Sequence, residues 1–158
     1  VPEQPKLVDT PFADPQLQEM LAELQQFYVE RYGGPDSNPT LEAQFTPPHG
    51  VFLVAVLDGE TVGCAGLRRH DAETTELKRM YVRAAYRGRG LAHAILDGVE
   101  ERARQLGYRR LILETGWNQP EAQALYAAHD YVRIDPELLN RDRTPDFVYA
   151  KPLVSGLS

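Results

Sequence analysis

The stretch ELKRMYVRAAYRGRGLAHAIL, Glu76 to Leu96, holds three elements in order: a strand, a glycine-bearing turn and the start of an amphipathic helix. Leu77, Met80 and Val82, with Tyr81 between them, suit a buried strand. Ala84, Ala85 and Tyr86 lead into Arg87-Gly88-Arg89-Gly90, where two glycines permit a tight turn and a close backbone approach. Leu91, Ile95, Val99 and Ala103 then recur at helical spacing, and Leu106-Gly107 ends the helix. Such a turn leaves backbone N–H groups unpaired at a helix N-terminus, where the dipole favours negative charge. A diphosphate is the usual occupant of a site of that kind. Charge agrees, since Lys78, Arg79, Arg83, Arg87 and Arg89 face no acid between Leu77 and Leu96, in a chain of net charge −6. The alternative is a solvated helix start with scattered surface arginines. A P-loop is excluded because no Gly-Lys-Ser/Thr follows the turn. A dinucleotide fingerprint is excluded because His93 stands where its third glycine belongs.

Arg87-x-x-Gly90-x-Ala92 resembles the R/Q-x-x-G-x-G/A acyl-CoA signature of the GNAT superfamily of N-acetyltransferases, and Glu76 to Val82 resembles the strand that precedes it there. A second segment, NQPEAQALYAAHDY from Asn118 to Tyr131, is similar to the family's N-x-x-A-x-x-L-Y-x-x-x-G-F. Asn118, Ala122, Leu125, Tyr126 and Tyr131 fall into register with one extra residue before Ala122. Asp130 departs from the usual glycine, a small departure because aspartate tolerates the left-handed conformation. The resemblance covers roughly Val51 to Lys151 and extends weakly to the N-terminus.

The rest of the chain is consistent with one domain over residues 1–158. Composition is globular, 42% hydrophobic and 25% charged. One cysteine, Cys64 among small residues, excludes an internal disulfide, suits packing, and offers no metal-ligand cluster. No run reaches membrane-spanning length, no signal-peptide pattern opens the chain, and the acidic balance argues against general nucleic-acid binding. A cytoplasmic location is expected.

Lys6 to Phe12 suits a first strand, and Asp14-Pro15 an N-cap and first helical residue. Leu17, Met20, Leu21, Leu24, Phe27, Tyr28 and Tyr32 form a core-facing helical stripe closed by Gly33-Gly34. Val51 to Leu57 is a strand apolar on both faces, Asp58-Gly59 a hairpin turn, and Thr61 to Arg69 the returning strand. Three sequential antiparallel strands follow from this. Tyr108 to Thr115, a helix from Pro120 to about His129, a strand to Ile134 and a last strand over Phe147 to Pro152 complete the elements. Leu41 to Phe45 suits a turn of helix inside the Pro35 to Pro48 loop.

The resemblance implies an α/β (α+β) fold: a mixed, mostly antiparallel sheet of six to seven strands with helices on both faces. It places acetyl-CoA in a splay between the strand ending near Val82 and the one ending near Thr115. Backbone groups at Met80, Tyr81 and Val82 would meet the pantetheine, and Arg87, Gly88, Arg89, Gly90, Leu91 and Ala92 the diphosphate. Asn118 and Tyr126 would line the far wall. No metal is implied. The activity implied is direct acetyl transfer from acetyl-CoA to an amine of a small molecule or peptide in a ternary complex. A non-catalytic CoA-binding module and a transferase for longer acyl groups are the other readings, and a homodimer is left open.

The chemistry needs a neutral amine, a donor for the developing oxyanion and an acid for the departing thiolate. Tyr126, by its motif position, is the candidate acid, against the alternative of a packed helix tyrosine. Glu76 is the candidate base: it lies six residues before Val82, hence on the same face of that strand as Met80 and Val82. Its structural alternative is an ion pair with Lys78 or a neighbouring arginine, and Glu114 is the second candidate, with an ion-pair role as its own alternative. His49, His70, His93 and His129 show no partner spacing and suit surface or packing positions. Trp117 ends a strand at the cleft, where structural burial is expected and contact with substrate is the alternative. The loops Pro35 to Pro48 and Asp135 to Pro145 are expected to choose the acceptor, and their acids point to a cationic amine.

Overall fold

The computed structural model describes residues 4–36, 42–139 and 147–154. Its elements are β1 (Lys6–Thr10), α1 (Pro15–Tyr32), β2 (Val51–Leu57), β3 (Glu60–Arg69), β4 (Thr74–Val82), α2 (Leu91–Gln105), β5 (Arg110–Thr115), α3 (Pro120–Ala128), β6 (Val132–Ile134) and β7 (Phe147–Pro152). Single 3₁₀ turns occupy Glu42–Phe45, Ala84–Tyr86 and Pro136–Leu139. The strands form one sheet in the order β1-β2-β3-β4-β5-β7-β6, and only β4 and β5 are parallel neighbours. This is the mixed, mostly antiparallel sheet expected. Among the described residues no helix is long and apolar enough to cross a membrane.

Local chemistry sets the boundaries. The Asp14 carboxylate accepts from the N–H groups of Gln16 and Leu17, Pro15 needs no such partner, and left-handed Gly33 ends α1. Asp58 (φ 51°) and Gly59 (φ 82°) make the two-residue turn that matches the strand twist between β2 and β3. Asp130 adopts φ 70° after α3, where its N–H and that of Tyr131 close the helix end.

The sheet separates two cores. Val51, Leu53 and Ala55 of β2 join Leu67, Leu77, Leu111 and Leu113 against Leu91, Ile95, Val99 and Ala103 of α2. The alternate residues Phe52 and Val54 join Cys64 and Tyr81 against Leu17, Met20 and Leu24 of α1. Each buried leucine or phenylalanine of these stripes contributes about 1.5–3 kcal/mol. β2 is therefore covered on both faces, as its unbroken apolar run requires.

One irregularity positions everything that follows. Cys64 pairs with Tyr81 and Gly66 with Lys78, so Arg79 and Met80 together oppose Ala65. Arg79 takes φ 56°, left-handed for a non-glycine residue. This bulge resets the side-chain alternation of β4. Leu77, Met80 and Val82 consequently all face the α2 core, while Tyr81 faces α1. Glu76 lies on the α1 side, the face opposite Met80 and Val82. The expectation that it shares their face is thereby corrected, because the bulge adds one residue to the count.

Gly63 sits opposite Val82, where an added Cβ would lie 2.5 Å from the Tyr81 carbonyl oxygen and 3.0 Å from Ile95 Cδ1. Gly63→Ala is expected to cost about 1–3 kcal/mol by overpacking. Urea unfolding should show a lower midpoint with an unchanged m-value.

Candidate active site

β4 and β5 are paired only from Thr74–Arg110 to Leu77–Leu113. Past that point the strands diverge, and the edge of β4 from Lys78 onward faces a cleft instead of a partner. Two lobes fill the gap, of about 350 Å³ and about 500 Å³, joined at Tyr28, Met80, Gln119 and Tyr126, which line both.

The larger lobe runs along Met80, Tyr81 and Val82 to Gly88, Gly90, Leu91 and Ala92. Gly88 (φ 77°) and Gly90 (φ 76°) are both left-handed, and a Cβ on either would meet nothing within 4 Å. Gly90 is the N-cap of α2 and no side chain caps that helix end. Its first amides therefore point at open space, an arrangement that can take an oxyanion. Glycine at these two positions supplies both the backbone conformation and the room.

The cations of this stretch disperse. Arg83 pairs with Glu19 and Glu23 of α1 at 2.8 and 2.9 Å. The Arg87 Nε donates to the Val82 carbonyl at 3.0 Å, and the Arg89 guanidinium lies over the Tyr86 ring at 5.3 Å. Tyr81 offers the lobe only part of its surface, because its ring is buried toward α1 and its hydroxyl donates to Glu23 at 3.0 Å. Asn118, expected on the far wall, turns away: its Nδ2 donates to the Arg31 carbonyl at 3.1 Å and its N–H to the Tyr32 hydroxyl at 3.3 Å. Gln119 is the residue of that turn lining both lobes. Tyr126 stands at their junction, 9% exposed, among Tyr131 and Tyr149. Burial pushes its phenol well above the ordinary value, so it holds its proton.

The smaller lobe is polar. Tyr28 and Tyr32 of α1, Asp36, Lys78 and Arg79 of β4, and Glu114 of β5 line it. Arg79 forms an ion pair with Asp36. The Tyr28 hydroxyl is pushed up to about 12, mainly by burial and further by the Asp36 charge. Burial pushes the Lys78 ammonium down. Glu76 is 2% exposed, its carboxylate 3.0 Å from the Arg68 Nε, and it is not among the residues lining this lobe. The neighbouring-arginine alternative describes its surroundings. Of the loops expected to choose the acceptor, residues 37–41 and 140–146 lie outside the described residues. Tyr28, Lys78, Arg79 and Gln119 were not singled out by sequence as site residues. Tyr28 sat in an ordinary helical stripe, and the two cations were assigned to the phosphate turn.

Two other expectations change. Trp117 is 63% exposed, packed edge-on against Tyr32 at 5.9 Å in the turn that follows the end of its strand. His93 and His129 are partners, with Nδ1 atoms 3.0 Å apart, and His129 Nε2 lies 2.9 Å from Asp97. Asp97, Glu100 and His129 bring ligand-type atoms within 4.8 Å of one another, a grouping that sequence spacing did not disclose. Glu100 is already neutralised by the Lys151 ammonium at 2.9 Å and accepts from the Tyr131 hydroxyl at 3.0 Å. The cluster is an ion network with its own cation.

The family model described as "Acetyltransferase (GNAT) family" matches residues 17–131. The IAA acetyltransferase of Azospirillum brasilense is 32% identical over 130 residues, 81% of this chain and 84% of its own length. The chain spans only 27% to 56% of the next curated relatives it matches. A Klebsiella pneumoniae chain assigned as an acyl-CoA N-acyltransferase superposes with a TM-score of 0.78 at 27% identity, over 95% of this chain and 98% of its own. A GNAT family acetyltransferase from Elizabethkingia anophelis, solved with acetyl-CoA bound, shares the fold at 18% identity, with a TM-score of 0.70 over 94% and 98% of the two chains.

Cys64 is 1% exposed, and burial pushes its thiol up to about 12. A thiol buried and held protonated in this way lacks a nucleophile's reactivity. A thiol reagent at pH 8 should leave the native protein unmodified and label it fully in denaturant.

Proposed function

This chain belongs to the acetyltransferase (GNAT) family, and from that premise we propose that it transfers the acetyl group of acetyl-CoA directly to the amine of a small molecule or peptide. The observation that carries the reading is the uncapped, glycine-opened N-terminus of α2 at one end of a cleft whose junction holds a buried, protonated tyrosine. Residues of the larger lobe fit the cosubstrate: open space at Gly88 and Gly90 admits a diphosphate, and the unpaired edge of β4 admits an extended amide-bearing arm. Acetyl-CoA supplies the activated acyl group as a thioester. The amides from Gly88 to Ala92 bind the diphosphate, the Met80 to Val82 backbone orients the arm, and Tyr126 holds the proton that the departing sulfur needs.

The acceptor must lose a proton to become nucleophilic, since an alkyl ammonium has a pKa of about 10.4. Of the two carboxylates considered from sequence, Glu114 lines the smaller lobe and Glu76 is turned into its ion pair with Arg68. Glu114, directly or through water, is the proton acceptor in this reading. With Cys64 buried and protonated, the described cleft offers no cysteine for a covalent acyl-enzyme, which supports transfer within a ternary complex.

The deciding experiment is thiol release from acetyl-CoA across amino acids, polyamines, aminoglycosides and peptides. Binding of acetyl-CoA without turnover on the whole panel would replace the enzyme with a CoA-binding module.

Gly90→Val is expected to abolish measurable acetyl-CoA binding by calorimetry. Its left-handed strain should cost the fold only about 1–2 kcal/mol. Unchanged affinity in the folded variant would remove the diphosphate from this turn.

Tyr126→Phe should keep cosubstrate affinity and lower kcat by ~10²-fold or more. Glu114→Gln should lower kcat/KM most at low pH, where little free amine exists, with the loss shrinking as pH rises. Glu76→Gln should instead lower the melting temperature, by about 1–3 kcal/mol of lost charge-assisted bonding, and leave the shape of the pH profile unchanged. Profiles of kcat/KM against pH for the three variants, with thermal melts, separate these roles.

A further inference from the structure

We propose that the acceptor is a small amine bearing a carboxylate, of the α-amino acid class, and that Lys78 determines this specificity by pairing with that carboxylate. The inference deepens the acetyl-transfer reading of the same cleft and rests on it. Its ground is a buried ammonium facing a cavity. Lys78 is 8% exposed and lines the smaller lobe, yet its Nζ makes no hydrogen bond or ion pair with any described residue.

The charges around it come from each element that packs there. Glu76, on the same strand, lies against Arg68. Asp36, beyond the end of α1, is paired with Arg79. Glu114 stands across the splay on β5 and lines the same lobe. Tyr28 and Tyr32 of α1 close the lobe, and burial holds the Tyr28 phenol protonated. A buried ammonium that lacks a carboxylate partner is costly to keep. Burial accordingly disfavours its charge, and an anion arriving in the lobe restores it.

The ligand's form follows from what lines the lobe. The single charge of a carboxylate matches the single ammonium of Lys78, since the Arg79 guanidinium is engaged by Asp36. Lys78 on β4 and Glu114 on β5 present opposite charges from the two sides of one lobe of about 350 Å³. That pair complements the two ends of a zwitterion: carboxylate at Lys78, ammonium toward Glu114, where its proton leaves. A polyamine or an aminoglycoside would instead bring further positive charge against Lys78.

The test uses the full chain with acetyl-CoA and matched acceptors: α-amino acids, each beside its carboxamide and its decarboxylated amine. Wild type is expected to favour the acid-bearing member of each set by about 10²-fold in kcat/KM, the size of a desolvated charge pair lost on one side. Lys78→Met should erase that preference through KM of the amino acid and leave acetyl-CoA affinity intact. Lys78→Arg should restore part of the preference. The melting temperature of Lys78→Met should equal or exceed that of wild type, since a buried charge is removed. Equal kcat/KM for acid and carboxamide in wild type overturns the inference, whether or not the variants fold. So does a Lys78→Met variant that slows every acceptor alike, which would assign the ammonium to proton transfer. Transfer to acid-free amines alone overturns the inference and spares the acetyl-transfer reading, whereas the absence of thiol release with every amine overturns both.

Discussion

Between Cys64 and Gly66 the pairing of β3 with β4 slips by one residue, and the left-handed Arg79 absorbs the difference. A bulky residue in that conformation is disfavoured by about 1–2 kcal/mol, so the surroundings must hold it. They do so from both sides of the backbone. The Arg79 guanidinium is tied to Asp36, and its carbonyl accepts from the buried Cys64 thiol at 3.6 Å. Cys64 thereby has a structural task that needs a small, weak donor and no reactivity. Because of the slip, Leu77, Met80 and Val82 share one face in spite of their uneven spacing, while Lys78 is turned with Tyr81 toward α1.

The cleft follows from what β4 does after the slip. Its parallel pairing with β5 stops at Leu77–Leu113, and the strands part with their edges unclaimed. Backbone N–H and C=O groups left in a gap stay solvated or take a ligand, since burying them bare costs as much as the hydrogen bonds they lack. Arg87 already satisfies one of them, the Val82 carbonyl. The helix that starts just beyond contributes amides and a dipole instead of side-chain charge. Most of the five cations concentrated in this stretch are drawn away, into ion pairs with α1 or onto aromatic rings. Backbone geometry, more than the local excess of arginine, makes the larger lobe receptive to an anion.

Behind the cleft, α2, α3 and β7 are joined by charge as well as by apolar packing. Glu100 is 3% exposed and satisfied by Lys151, Tyr131 and, at 3.5 Å, His129. A buried carboxylate of this kind contributes little net stability, but removing one partner is expensive because the other charge is stranded. The network therefore fixes where α3 lies relative to α2, and with it where Tyr126 stands at the junction of the lobes.

Sequence alone determined the elements, their order, the glycine turn and the uncapped start of α2. These depend on neighbours along the chain: the Asp14-Pro15 cap, the Asp58-Gly59 turn, the apolar run Val51 to Leu57, and the tolerance of Asp130 for φ 70°. The place of Tyr126 on α3 was legible too, through a motif carried on a single helix. Tertiary structure alone decided which carboxylate faces the smaller lobe. Counting by twos placed Glu76 beside Met80, and one inserted residue at the bulge moved it to the other face, against Arg68. Lys78 and Glu114 lie on different strands whose relation is set by the splay, so no spacing along the chain brings them together. The same holds for Asn118, whose amide is claimed by the end of α1. A motif fixes a residue's place on its own element, but the element that packs against it decides what its side chain can reach.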